Sequence, residues 1–179
     1  MAKTYTGSHE ASYNNFGVRL TYAAAKENGA WYAWITRVEV KMALRTGTYS
    51  VNSFGDVLIN STTSVSVNVI GTTVAGQTYA TVWEGTGAKT PVTKSGKILS
   101  FALSLKKNSD YGSDDQMWFY ARAGSTVYQN GVGLTNAVQT LTVQDDAAMI
   151  YINGVRTPAT PYVGKKPAEP YRGNVPLGG

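Results

Sequence analysis

Six aromatic side chains carry the strongest hint of chemistry in this sequence: Trp31, Tyr32, Trp34, Trp83, Trp118 and Tyr120. A ring exposed on a β-face can stack on a sugar or fill a partner's pocket, whereas a ring buried between sheets only packs. Counting alternate residues assigns the rings to faces. Trp34 shares a parity with Val38 and Val40 and is expected in the core. Trp31 shares the other parity with Arg37, Glu39 and Lys41 and is expected to face solvent. Trp118, Tyr120 and Arg122 alternate with Met117, Phe119 and Ala121, so the first trio is expected outside and the second inside. Trp, Tyr and Arg are the residues enriched at interface hot spots. The outward trio therefore reads first as a contact between subunits and second as a sugar platform on a cell-surface glycan.

Other chemistry finds less support. The loop Asn108–Asp115 offers Asp110, Asp114 and Asp115 as oxygen ligands, but Ca²⁺ takes six to eight and this is not EF-hand spacing. A solvated turn is the favoured reading. A glycosidase needs two opposed carboxylates in a cleft; eleven acidic residues provide some pair by chance, yet none sits in a recognisable catalytic context and most fall in turns. The single His9 leaves no room for a His-based zinc site or a Ser-His-Asp triad. The absence of Cys removes disulfides, thiolate metal sites and cysteine nucleophiles. The expectation is a protein that is not an enzyme and uses no metal or cofactor.

The elements that must position these residues follow from composition and period. Of the 179 residues only 15% are charged and 42% are hydrophobic, with 19 Gly and 12 Tyr. A typical soluble domain is about 25% charged. The polar surface is therefore built from Ser, Thr, Asn and Gly, which suits β-faces better than helix faces. Strands with period-2 alternation are predicted at 16–25, 31–44, 56–59, 64–70, 77–84, 97–106, 117–122, 126–129 and 138–143. The longest, WYAWITRVEVKMAL, carries a local break at Ile35-Thr36. Turn signals include Glu27-Asn28-Gly29, the Gly- and Lys-rich stretch 85–96, Ala123-Gly124-Ser125 and Asn130-Gly131. Many short strands with turns between them predict an all-β fold, an antiparallel β-sandwich of immunoglobulin-like or related topology. Residues 1–15 read as a polar N-terminal segment, 16–145 as the sandwich domain, 146–156 as a hairpin around Asn153-Gly154 and 157–179 as an extended Pro/Gly-rich C-terminal arm.

The arm contains a repeat. Pro158-Ala159-Thr160-Pro161-Tyr162-Val163-Gly164 returns nine residues later as Pro167-Ala168-Glu169-Pro170-Tyr171-Arg172-Gly173. Such proline density favours polyproline geometry over central strands. Pro161, Tyr162, Pro170 and Tyr171 are thus candidate partner-binding residues, with preset backbone geometry lowering the entropy lost on docking. Sixteen Lys and Arg against eleven Asp and Glu leave a net charge of +5, but the basic residues stand mostly alone. No stripe interleaves them with aromatics as a single-strand binder requires, so nucleic acid is not an expected partner. No apolar run reaches the roughly 18 residues that span a bilayer, and the start MAKTYTGSHEASYNN lacks the apolar stretch of a secretory signal.

Residues 31–108 run as a long aromatic strand, then TGTYS, then INSTTSVSVNVIGTTVAGQTYATVWEGTG, then KTPVTKSGKILSFALSL. This run resembles the β-modules of siphophage minor structural proteins, the tail and tail-fibre proteins of phages infecting Gram-positive bacteria. The ending IYINGVRTPATPYVGKKPAEPYRG is similar to the endings of many phage tail and virion proteins. The resemblance implies a virion component, located in the virion and partnered by other virion proteins, and it supplies no catalytic residue. The expectation is a non-enzymatic structural protein of tail, fibre or capsid-decoration type that forms a homo-oligomer. The rival expectation is a host-surface glycan-binding module using its exposed Trp and Tyr.

Overall fold

The computed structural model describes residues 3–144, 149–152, 155–158, 171–172 and 175–176. The chain divides into two compact units, Met1–Val143 and Gln144–Gly179. Among the described residues there is no helix, which agrees with the all-β reading of a chain finished in Ser and Thr.

The first unit is an antiparallel sandwich of two sheets. One sheet is built from β1 (Thr4–Tyr13), β2 (Phe16–Glu27), β3 (Ala30–Met42) and β6 (Ala80–Glu84) in that spatial order, with β7 (Thr90–Pro91) also on β3. The other runs β11 (Thr126–Gly133), β10 (Gln116–Ala123), β4 (Thr48–Ile59), β9 (Ile98–Lys106), β12 (Ala137–Thr142), with β5 (Thr62–Ala75) on β4 and β8 (Thr93–Ser95) on β9. Two-residue loops make the hairpins. Asn28-Gly29 and Asn60-Ser61 both place two successive residues at positive φ, the geometry that matches the right-handed twist of flanking strands.

Strand β4 is the hub of the second sheet. β5 runs along one of its edges, while on the other β10 pairs with Ser50–Phe54 and β9 with Asp56–Ile59. Gly55 stands at the seam between those two partners. A Cβ there would come within 2.9 Å of the Cα, Cβ and Cγ of Met117, tighter than van der Waals packing allows.

The core lies between the sheets. Val18, Leu20, Ile35, Val38, Val40 and Met42 of the first meet Val57, Ile59, Leu99, Leu103, Leu105 and Phe119 of the second, all buried. Phe16 stacks on Phe119 across the interface, with ring centroids 5.3 Å apart. Polar ties join the layers too. The buried Asn130 accepts from the Asn15 N–H at 3.3 Å and donates to the Tyr13 carbonyl at 3.0 Å. The Tyr22 hydroxyl donates to Gln139 Oε1 at 3.0 Å.

Three expectations need correcting. Residues 1–15 are not merely a polar, turn-rich segment, because Thr4–Tyr13 pairs along its whole length with β2. As an edge strand it turns exposed Thr4, Thr6, Ser8 and Glu10 to solvent and half-buries Tyr5, His9 and Ala11, so its apolar signal is weak. Asn130-Gly131 is not a turn but lies inside β11. There the amide holds the β1–β2 connection, and Gly131 leaves room for the Gln116 side chain, which a Cβ would strike. The third concerns β3. Thr21 pairs with Arg37 but Tyr22 with Ile35, so Thr36 is an extra residue, a β-bulge whose hydroxyl donates to the Thr21 carbonyl at 3.2 Å. A bulge flips the parity of everything on one side of it. Hence Trp34 is buried on the outer face over Ala23 and Ala25, away from the main core, and Trp31 turns inward.

In the second unit, β13 (Met149–Ile152) pairs antiparallel with β14 (Val155–Pro158), the predicted hairpin, while Asn153-Gly154 itself lies outside the described residues. Within the predicted extended arm, β15 (Tyr171–Arg172) pairs with β16 (Val175–Pro176).

Candidate interaction surfaces

Each sheet presents one outer face, and the two are built differently. On the second sheet, alternation along β10 puts Met117, Phe119 and Ala121 into the core and Trp118, Tyr120 and Arg122 outward, as expected. Register then fixes their neighbours: Trp118 lies opposite Phe54 and Gly131, Tyr120 opposite Asn52 and Gln129, and Arg122 opposite Ser50 and Val127. Trp118 and Tyr120 are half-buried and Arg122 is exposed. The loop before β10 closes over one end of this row, with Gly112 so near the Trp118 ring that a Cβ would sit 2.9 Å from it. Further out on the same sheet, Ile70 is 75% exposed. The row is aromatic and apolar, and it ends in one cation.

Trp31, the other aromatic candidate, does not join it. Its indole packs against the edge of the core and tilts against Tyr5 with centroids 5.9 Å apart. The bulge at Thr36 is the reason: without it Trp31 would share a face with Arg37. Of the C-terminal candidates, Pro161, Tyr162 and Pro170 lie outside the described residues, and of Tyr171 only the backbone pairing with Pro176 is described. The acidic loop does not gather a cation site. Asp114 pairs with Lys107 at 3.0 Å, and among the described residues no three Asp, Glu or His side chains converge.

The outer face of the first sheet was not singled out by sequence reasoning. It is knitted by charge. Arg19 on β2 grips Glu39 on β3 in a two-point fork, Nε to Oε2 at 2.7 Å and Nη2 to Oε1 at 2.8 Å. Glu39 is only 6% exposed, and the Arg19 hydrogen bonds hold its carboxyl below the usual carboxylate range. Around this fork, Glu10 lies 3.8 Å from Arg19 and 4.0 Å from Lys41. Arg37 donates to Glu84 at 2.6 Å. The Tyr79 ring sits 4.2 Å from the Arg19 guanidinium carbon and 4.5 Å from Lys41 Nζ, and its hydroxyl donates to Glu10 at 3.0 Å. Burial, then that hydrogen bond, pushes the Tyr79 phenol well above its ordinary pKa. Each charge-assisted hydrogen bond of this fork is about twice as strong as a neutral one, while the exposed Arg37–Glu84 pair adds little, screened by solvent. The sequence signal was present: Arg19, Arg37, Glu39 and Lys41 all fall on outward positions of two adjacent strands, in alternating sign.

Comparison with family models, curated proteins and solved structures finds no match for this chain.

Proposed function

We propose that this chain is a non-enzymatic structural protein of a bacteriophage particle, of the tail, fibre or capsid-decoration type, assembling with copies of itself and with other virion proteins. The observation that carries the reading is the outward row Trp118, Tyr120 and Arg122 beside Phe54, set on a sandwich that closes its own core by Val143. Side chains of these types desolvate well at the centre of an interface. The sheet beneath them is braced by β4 along most of its length, so the row is held rigid and loses little freedom on docking. The repeated Pro-Ala-x-Pro-Tyr segment in 157–179 supplies a second contact, its two tyrosines entering equivalent pockets on neighbours. The phage-like ending of the sequence supports the virion assignment.

The test is particle incorporation. The chain lacking 157–179, and separately a Trp118→Ala/Tyr120→Ala variant, should keep a cooperative melt yet drop out of particles assembled in their presence. Incorporation of both at the full-length level would sink the reading.

A further inference from the structure

The outer face of the second sheet is charged at both ends and aromatic between them. Where β11, β10, β4 and β5 lie side by side, register sets Trp118 beside Phe54, Tyr120 beside Asn52 and Arg122 beside Ser50. The loop leading into β10 crosses the Trp118 end, with Gly112 against the indole and Tyr111 61% exposed.

The two ends carry opposite charge. The loop end holds four carboxylates (Asp56, Asp110, Asp114 and Asp115) against two ammonium groups, Lys106 and Lys107, a net −2. Lys106 lies opposite Asp56 in the strand register, and Lys107 pairs with Asp114. Asp110 and Asp115 are left over, both exposed and without an ion pair among the described residues. At the other end stands Arg122, exposed and equally without one. Trp118 lies midway between Arg122 and Asp115 along the chain. The first sheet differs, because Arg19, Arg37 and Lys41 each meet a carboxylate of their own subunit.

A face with this polarity is complementary to itself, but only when turned around. Stacking two copies with their strands in the same direction puts Arg122 on Arg122 of the partner subunit. A two-fold axis in the plane of the sheet, crossing the strands near Trp118, reverses the second copy. It lays indole beside indole at the centre and brings each arginine to the partner's acidic loop. Isologous contacts of this kind close at two subunits. Sheets stacked face to face stand about 10 Å apart, room for the two sets of rings to interdigitate. Four strands at about 4.8 Å spacing, over the eight residues of β10, offer roughly 500 Å² on each partner, and the total of about 1,000 Å² is the lower bound for a specific interface.

We propose that this face packs on the same face of a second copy about that axis, with Arg122 of each copy against the partner's Asp110 and the partner's Asp115. The proposal rests on the reading of the row as an assembly contact and names its partner and orientation. The rings supply the buried area, and the two reciprocal charge clusters fix the direction of stacking.

The test is sedimentation and light scattering of the full chain across a concentration series. The parent should pass from one to two chains with a Kd in the micromolar range. Arg122→Glu should weaken the dimer about tenfold or more, and Asp110→Lys/Asp115→Lys should do the same. All three positions are exposed, so the melts should match the parent's. A 1:1 mixture of the two variants should recover the parent's affinity, because Glu now meets Lys at one end and Arg meets Asp at the other. The triple variant should recover it as a homodimer. A parent that stays monomeric, charge reversals that leave the mass unchanged, or a mixture as weak as its components would each overturn the proposal. Particle incorporation is read separately: a monomeric parent whose Trp118→Ala/Tyr120→Ala variant still drops out of particles sinks the two-fold and leaves the assembly reading in place, with the row meeting a different protein.

Discussion

The two outer faces of the sandwich use the same strand geometry to opposite ends. On the first sheet, cross-strand neighbours satisfy one another: Arg19 holds Glu39, Arg37 holds Glu84, and Tyr79 closes over Arg19 and Lys41. On the second, Trp118, Tyr120 and Arg122 lie opposite Phe54, Asn52 and Ser50, and among the described residues no ion pair ties the row down. Apart from the buried Arg19–Glu39 fork, cross-strand pairs of this kind contribute only about 0.2–1 kcal/mol each, so the shared core, more than either face, makes the fold. What differs is what each face leaves over. The first has spent its charge and keeps hydroxyls. The second has spent little and keeps apolar area.

Substitutions rank this contrast. The largest loss belongs to the layer both faces share. Phe119→Ala, at a fully buried ring stacked on Phe16, should cost about 3–5 kcal/mol in chemical denaturation, with both sheets lost in one transition. Separate transitions for probes on the two sheets would break the picture of one core. Glu39→Gln comes next, at about 2–3 kcal/mol, since Arg19 loses its charged partner at a buried position. That loss has a pH signature. The carboxyl's pKa is lowered in the folded chain, so its contribution is complete above the unfolded value near about 4.3 and fades as pH falls through the lower folded value. The gap between Glu39→Gln and the parent should therefore narrow in acid and stay constant from about pH 5 upward. A gap that widened in acid would contradict the assigned fork.

Trp118→Ala should cost less, about 1 kcal/mol, because the ring is only half-buried and its truncation opens to solvent rather than leaving a cavity. Its larger effect is expected on association, read as a fall in mass by light scattering. Smallest is Glu84→Gln, where both partners are about half exposed and the melt should barely move. If Glu84→Gln rivalled Glu39→Gln, burial would not be what separates the two ion pairs.

Alternation made most of this architecture readable. The strands around Phe101, Phe119 and Val38 were located by period, and the outward trio on β10 was placed correctly from parity alone. Two failures have physical causes. β1 went unread because an edge strand needs few apolar residues, and TYTGSHEASY carries its inward signal in Tyr5, His9 and Ala11. Trp31 and Trp34 were each assigned to the wrong face. The break at Ile35-Thr36 was visible, but its meaning, one extra residue opposite Thr21-Tyr22, depends on which strand lies alongside. The charged face failed for a related reason. Arg19 and Glu39 are twenty residues apart, and only the pairing register makes them neighbours.

The polar ties between the layers also bear on how the chain acquires its shape. Asn130 reaches back to Asn15 and Tyr13, and Gln139 to Tyr22 and His9, across separations of 115 to 130 residues. Contacts so distant along the chain are the slow step of β-sandwich folding, because their loop entropy is lost before they form. During synthesis the early hairpin β1–β2 must wait, its inner face uncovered, until β11 and β12 have been made. The sparsely apolar β1 is suited to that interval: a leading edge of Thr, Ser and Gly gives a half-finished chain little with which to stick to its neighbours.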